Sequence, residues 1–334
     1  ENILSLSGFL KVSEENLLLG MCATDCINSI IKSISFSGKT DAILATNLTY
    51  RAILNTIDYT SKYRLNQDNY VQIFQINLSF PILSTQQIIS EFDKICDKIV
   101  NKSNLKLRLT VIDHISSAPP ILFPVKEICQ TIRKYSNLSN SNTQILIDGA
   151  HALGHIPIEF NQIDCDYYVS NLHKWFLSPK GCSFIYFKNK NLQKNLEPNY
   201  ISYGYLNSPS INYNFFARGT IDASPRLVVK DCIQTFVYGF GGYSQIKAKI
   251  TILMDQAIDM LTTSWKTKKL DIPIEMEAPF MKLVKLPKMK NYGPNDGAKM
   301  MKDVLYKYKI VSVFINVQGE LYCRISCYLY NEFN

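Results

Sequence analysis

The chain has 334 residues, 46% hydrophobic and 12% aromatic, with 36 basic against 28 acidic side chains and a formal charge of +8. That apolar content supplies the core of one large α/β domain with a smaller companion and excludes a disordered chain. No apolar run reaches the ~20 residues of a membrane helix, so a soluble protein without a membrane partner is expected.

From about residue 20 helical and strand patterns alternate. Ala23 to Ile34 is predicted helical, its Ile27, Ile30, Ile31 and Ile34 recurring every three to four residues. A strand at Asp41 to Thr46, a helix at Tyr50 to Tyr63, a strand at Val71 to Ile76 and a helix at Gln86 to Val100 follow. Leu105 to Asp113 is predicted as a strand, Val125 to Tyr135 as a helix entered after Pro124, and the polar run Ser136 to Asn142 as a loop. Gln144 to Asp148, Asp166 to Val169 and Ser183 to Phe187 add three strands. This alternation predicts a mostly parallel sheet flanked by helices, with ligands at the carboxyl ends of its strands.

Ala223 to Phe240 is predicted as a helix leaving the large domain, and Gly239-Phe240-Gly241-Gly242 as a hinge. A helix from Tyr243 to Leu261, a strand at Met281 to Leu286, a helix at Lys299 to Tyr308 and strands at Val311 to Asn316 and Leu321 to Cys327 complete the pattern. The expected organisation is an N-terminal arm (1–14), a large α/β domain (15–240) and a small C-terminal α+β domain (241–334).

The lysines between Lys282 and Lys309 read as a solvated face, without the interleaved motifs of a nucleic-acid site, so no nucleic-acid partner is expected. Nine scattered cysteines, an odd number with no secretory leader in the sequence, predict reduced thiols and a cytoplasmic setting. The Cys22/Cys26 and Cys323/Cys327 spacings lack histidines at ligand distance, and no metal is expected.

Three of the four histidines, His151, His155 and His173, gather around two strand ends, one closing on Asp148 and the other leading to Lys174. A strand-end carboxylate followed by a strand-end lysine is the layout that pyridoxal phosphate chemistry requires. The amine forms a Schiff base with the aldehyde, and the carboxylate keeps the pyridine nitrogen protonated. Asp113-His114 marks a third strand end, with His114 and Ser117 expected close to the cofactor. His155 has no chemical role to fill and is expected to be structural.

Asp148-Gly149-Ala150-His151-Ala152-Leu153-Gly154, Asp166-Tyr167-Tyr168, Asn171-Leu172-His173-Lys174-Trp175 and Pro179-Lys180-Gly181 resemble the class V aminotransferases of PLP fold type I, in particular the isopenicillin N epimerase-like branch. The resemblance runs from about Met21 to Gln234 and returns at Arg324 to Asn331. It implies that Lys174 is the catalytic Schiff-base lysine, that Asp148 pairs with the pyridinium and that His151 bonds the cofactor's phenolate oxygen. It also implies that Asn171, His173, Ala23 and Thr24 hold the phosphate, that Tyr50 stacks on the ring and that Arg324 grips the substrate α-carboxylate. Gly219 and Thr220 would reach the phosphate of a neighbouring subunit, which implies a homodimer.

Departures from the pattern are Asp25 in the phosphate turn, Leu48 and Arg51 around Tyr50, and Tyr203 in place of a histidine. The expected function is chemistry at the α-carbon of an amino acid, aminotransferase- or epimerase-like. Two alternatives stand beside it: a C–S or β-lyase or desulfurase-like enzyme, and a catalytically idle binding protein. A persulfide-forming desulfurase is disfavoured because no cysteine lies between Cys232 and Cys323.

Overall fold

The computed structural model describes residues 1–63, 69–205 and 210–332. In chain order the first part holds α1 (Asn2–Leu10), β1 (Leu17–Gly20), α2 (Ala23–Ser33), β2 (Asp41–Thr46), α3 (Arg51–Tyr63), β3 (Gln72–Ile76), α4 (Thr85–Asp97) and β4 (Lys106–Asp113). It continues with α5 (Val125–Ser139), β5 (Gln144–Asp148), β6 (Tyr167–Asn171) and β7 (Ser183–Phe187). These strands form one sheet in the order β1-β7-β6-β5-β4-β2-β3. The run from β6 to β3 is parallel, and β7 opposes both of its neighbours.

Helices cover both faces, which is why the central strands are continuous apolar runs rather than alternating ones. Ile27, Ile30 and Ile31 of α2 and Ile53 and Ile57 of α3 pack on one face, against Leu109, Val111, Leu146 and Val169. On the other, α4 and α5 bring Ile88, Phe92, Ile128 and Ile132 to Leu107, Ile112, Ile145 and Ile147. The register pairs Asp113 with Asp148 and Asp148 with Val169, so β4, β5 and β6 end together along one edge.

Beyond β7 come α6 (Ile211–Phe216), α7 (Ser224–Leu227), α8 (Val229–Gln234) and α9 (Gly242–Trp265). They are followed by β8 (Met281–Lys285), α10 (Gly297–Tyr308), β9 (Val313–Val317) and β10 (Glu320–Ser326). The last three strands form an antiparallel sheet, β8-β10-β9, with β10 in the middle. Alternation along β10 turns Leu321 and Cys323 towards Met300 of α10 and leaves Arg324 on the opposite face.

Two local expectations are corrected. The run from Ser136 to Ser139 is the last turn of α5, closed by Asn140 in the left-handed region (φ 46°, ψ 39°), which asparagine tolerates. Ala223 to Phe240 is not one helix but α7, α8 and a π-turn over Thr235–Gly239, with Pro225 confined to the start of α7, where its missing N–H costs nothing. Residues 1–14, expected as an arm, contain α1, which buries Leu6 and Leu10 and ties Asn2 to Leu227 O at 3.1 Å. β1 carries no alternation to reveal it and exists by pairing with β7.

Candidate active site

Asp148 ends β5, and the chain turns sharply at Gly149, where a Cβ would stand 2.3 Å from the Tyr168 ring. Only glycine passes so close, and the turn brings His151 back over the strand ends. Lys174 follows β6 in a loop closed by Ser178 N–H to Leu172 O at 3.2 Å. The two segments meet with Lys174 Nζ 2.9 Å from His151 Nε2, and the Trp175 indole N–H donates to His151 Nδ1 at 3.3 Å.

Burial dominates the electrostatics here. It pushes the Lys174 amine down to about 8, helped by the Arg324 charge and opposed by Asp148 and Asp113. His151 is driven well below its ordinary value by the same desolvation, so it is a neutral imidazole. Asp148 accepts from Ala150 N–H at 2.9 Å, yet burial raises its carboxyl. Asp113, its register partner, is raised well above the usual range by burial and by the Asp148 charge, with the Thr49 hydroxyl and Tyr50 N–H opposing. Its Oδ2 is buried with no hydrogen-bond partner among the described residues.

Asn171 and Ala23 are joined directly, the Ala23 N–H donating to Asn171 Oδ1 at 2.8 Å. Cys26 is the first residue of α2 whose amide meets an in-helix carbonyl (Cys22 O, 3.1 Å), so the helix leaves the amides of Thr24 and Asp25 free for an anion. His173 is half-buried; its Nδ1 lies 2.7 Å from Cys182 O, which makes it the donor and leaves Nε2 unprotonated in the neutral ring. Asp25 does not present its charge to this cradle. Asn199 donates to its Oδ1 at 2.9 Å, and Arg218 Nη1 pairs with its Oδ2 at 2.5 Å, with the Arg218 side chain only 2% exposed.

Tyr50 lies just before α3 with its ring half-exposed, tied to the site by its main-chain N–H beside Asp113. Arg324 reaches across from the small sheet, Nη1 donating to Ser117 O at 2.7 Å and Oγ at 3.0 Å. Its charge is felt at both Lys174 and His151. His114 meets the Tyr168 hydroxyl at 2.6 Å. His155 is fully buried, 3.0 Å from His151 O through Nδ1 and accepting the Phe280 N–H at Nε2 (2.7 Å), a structural link as expected. Gly219 and Thr220 are exposed and take no part in the hydrogen bonds around Lys174 among the described residues. Of the departures, Tyr203 is on the surface, Arg51 is exposed at the start of α3, and Leu48 packs against the core.

Sequence reasoning gave no role to Trp175 or Arg218 and marked Asp113 only as a strand end. Asp113 stands at a strand end in register with Asp148, Trp175 adjoins Lys174, and Arg218 supplies the charge that Asp25 demands; only the first two had a visible positional signal.

The donor set fits pyridoxal phosphate. A buried carboxylate in no ion pair among the described residues suits a protonated pyridine, an amine with a lowered proton affinity suits an aldehyde, and free helix-start amides suit a phosphate. The family model described as aminotransferase class-V matches residues 5–272. A putative L-cysteine desulfhydrase 1 of Oryza sativa subsp. japonica is 31% identical over 276 residues, 82% of this chain but 54% of that protein, so the chain spans about half the length of this relative. Isopenicillin N epimerase of Streptomyces clavuligerus is 31% identical over 100 residues, 30% of this chain and 23% of the epimerase. Among solved structures, a complex of the cystine C–S lyase C-DES with its product cysteine persulfide superposes with a TM-score of 0.71 at 16% identity, covering 99% of this chain and 82% of that one.

Proposed function

The chain belongs to the class-V aminotransferase family, whose cofactor is pyridoxal phosphate, and from that premise we propose that it is a C–S lyase releasing a thiol from the β-carbon of a cysteine-like amino acid. The observation that carries the reading is the Lys174 amine held 2.9 Å from His151 beside the buried Asp148. When bound, the cofactor supplies an aldehyde for the amines and a protonated ring that draws electrons from the α-carbon. Asp148 would hold the ring-nitrogen proton, and His151 Nε2–H, which faces Lys174 in the cofactor-free protein, would serve the phenolate oxygen of the bound cofactor. The free Thr24 and Asp25 amides and the Asn171 side-chain amide would hold the phosphate, with Ala23, whose N–H is committed to Asn171 Oδ1, orienting that amide; His173 would join them by taking a proton on Nε2, and Tyr50 would lie over the ring. Arg324 takes the substrate α-carboxylate. Lys174 would hold the cofactor through its amine and, once freed by the substrate amine, would take the Cα proton. The Cα–H electrons form a Cα–Cβ double bond as the Cβ–S bond breaks, and the thiolate leaves with its electron pair and is protonated. From cysteine the released enamine takes up one water, and the final products of cysteine plus water are sulfide, pyruvate and ammonia.

Elimination needs one base, and the placement of side chains supports that over epimerisation. The tyrosines offered as a second acid, Tyr50, Tyr203 and Tyr205, are 49%, 85% and 57% exposed. A persulfide route gains no support from Cys323, which is buried in the middle strand of the small sheet with its thiol pushed up to about 11. The alignment with a desulfhydrase over most of the chain, against a short one with an epimerase, supports the same choice. A homodimer belongs to this proposal: Gly219 and Thr220, which would reach a neighbouring subunit, are exposed, as are the large apolar side chains of Tyr200, Ile201, Tyr213 and Phe216.

Incubating the holoprotein with L-cysteine in deuterated water tests the reading. Sulfide and pyruvate in equal amounts are expected. Cα exchange with inversion and no sulfide would make it an epimerase, and a keto acid with the sulfur retained a transaminase. Failure of the protein with added pyridoxal phosphate to develop an absorbance band that Lys174→Ala abolishes would leave a catalytically idle fold.

A further inference from the structure

We propose that the indole N–H of Trp175 fixes the tautomer of His151 and so keeps Lys174 an uncharged amine, making Trp175 a positioning residue for Lys174. The inference rests on the reading of Lys174 as the amine that acts. Its logic is a count of protons. An indole N–H only donates, so His151 Nδ1, which receives it at 3.3 Å, must carry a lone pair. A neutral imidazole with Nδ1 bare bears its one proton on Nε2. That nitrogen faces Lys174 Nζ at 2.9 Å. An ammonium has three donors and no acceptor, so it cannot receive the Nε2 proton, whereas a neutral amine can. The chain of donation therefore runs from Trp175 through His151 into the Lys174 lone pair.

The surroundings make the arrangement rigid. The Trp175 ring packs against His155, Phe280 and Tyr328 at centroid distances of 4.7, 5.8 and 5.5 Å, and the Tyr328 hydroxyl donates to the Trp175 carbonyl. Gly154, at φ 79°, lets the chain pass that carbonyl where a Cβ would stand 2.3 Å away. His155 holds the His151 carbonyl from the other side. The titratable groups facing Lys174 are divided: Asp148 and Asp113 at the ends of β5 and β4 and Cys22 ahead of α2 lie on the side that favours the ammonium, and Arg324 from β10 opposes it. With the carboxylates pulling towards the charged form, the proton on His151 Nε2 tips the balance. Without Trp175, His151 is free to shift its proton to Nδ1 and accept from a Lys174 ammonium.

Competitive acetylation of Lys174 by acetic anhydride in the cofactor-free protein, read by mass spectrometry across a pH series, measures the amine without any turnover. Trp175→Phe keeps an aromatic ring and loses the donor. The labelling midpoint of Lys174 is expected to rise by about one pH unit, which lowers its labelling at neutral pH ~tenfold. A variant carrying 3-benzothienylalanine at position 175 replaces the N–H by sulfur in the same ring outline and decides the matter should the phenylalanine protein fail to fold. Unchanged midpoints in the folded variants, with wild-type Lys174 labelling ahead of surface lysines, overturn the role of Trp175 alone. A wild-type midpoint at the ordinary lysine value overturns the reading of Lys174, and this inference with it.

Discussion

Lys174 sits between two opposed demands, since a nucleophilic amine must be uncharged while a buried site beside two carboxylates favours the ammonium. Burial settles much of this by bringing the amine down to about 8. Lys174→Ala is expected to abolish the cofactor's covalent absorbance and to cut turnover by ~10²–10⁴-fold, the range of a lost general base. Spectra and sulfide release measure the two effects separately. Arg324 works differently, since its Nη1 is committed to Ser117 and its Nε is buried with no partner among the described residues. Arg324→Lys keeps the charge but loses the planar fork. KM for the amino acid is expected to rise about ten- to a hundredfold, from the ~1.5–3 kcal/mol of a hydrogen bond to a charged group. The cofactor spectrum should stay unchanged, and an altered spectrum would place Arg324 at the cofactor instead.

At the scale of elements, the start of α2 faces an apparent contradiction, an aspartate in a turn expected to bind phosphate. Asp25 is turned aside by Asn199 and neutralised by Arg218, while Asn171 orients the first amide of the helix. Breaking a pair this buried leaves a lone charge, which costs about 3–5 kcal/mol. Arg218→Ala is therefore expected to lower the melting temperature and to weaken pyridoxal phosphate binding. Arg218→Ala combined with Asp25→Asn should recover most of both losses, and additive losses in the double variant would show that the pair does not act as a unit. The pair joins residues 193 positions apart, so neither residue alone signals it. The expected helix over Ala223 to Phe240 was broken for a more local reason, Pro225 and the π-turn, that helical periodicity does not register.

Across the whole molecule, His155 ties the loop after β5 to the residue that leads into β8, through the His151 carbonyl and the Phe280 amide. His155→Phe leaves both groups buried and unpaired, an expected loss of about 1–3 kcal/mol for each. Burial holds the His155 imidazole down to about 3, against 6.5 for an unperturbed histidine. Between those values the unfolded chain binds a proton that the folded one refuses, so this residue's share of stability falls as the pH drops below about 6.5. The stability gap between wild type and His155→Phe, followed by chemical denaturation, should narrow by ~1.4 kcal/mol per pH unit in that window. A gap independent of pH would mean that His155 is protonated in the folded state.

Local periodicity alone reveals the βα alternation, and with it the sheet edge where Asp113, Asp148 and the loop of Lys174 come together. Strand and helix patterns are properties of neighbouring residues, so they survive without a structure, and the motifs from Asp148 to Gly154 and from Asn171 to Trp175 lie within them. The burial that makes Lys174 a weak base, the proton order through Trp175 and His151, the quenching of Asp25 by Arg218 and the reach of Arg324 to Ser117 are not written there. Each depends on which distant groups the packing brings within about 3 Å and on how much water it removes, and those are properties of the folded chain.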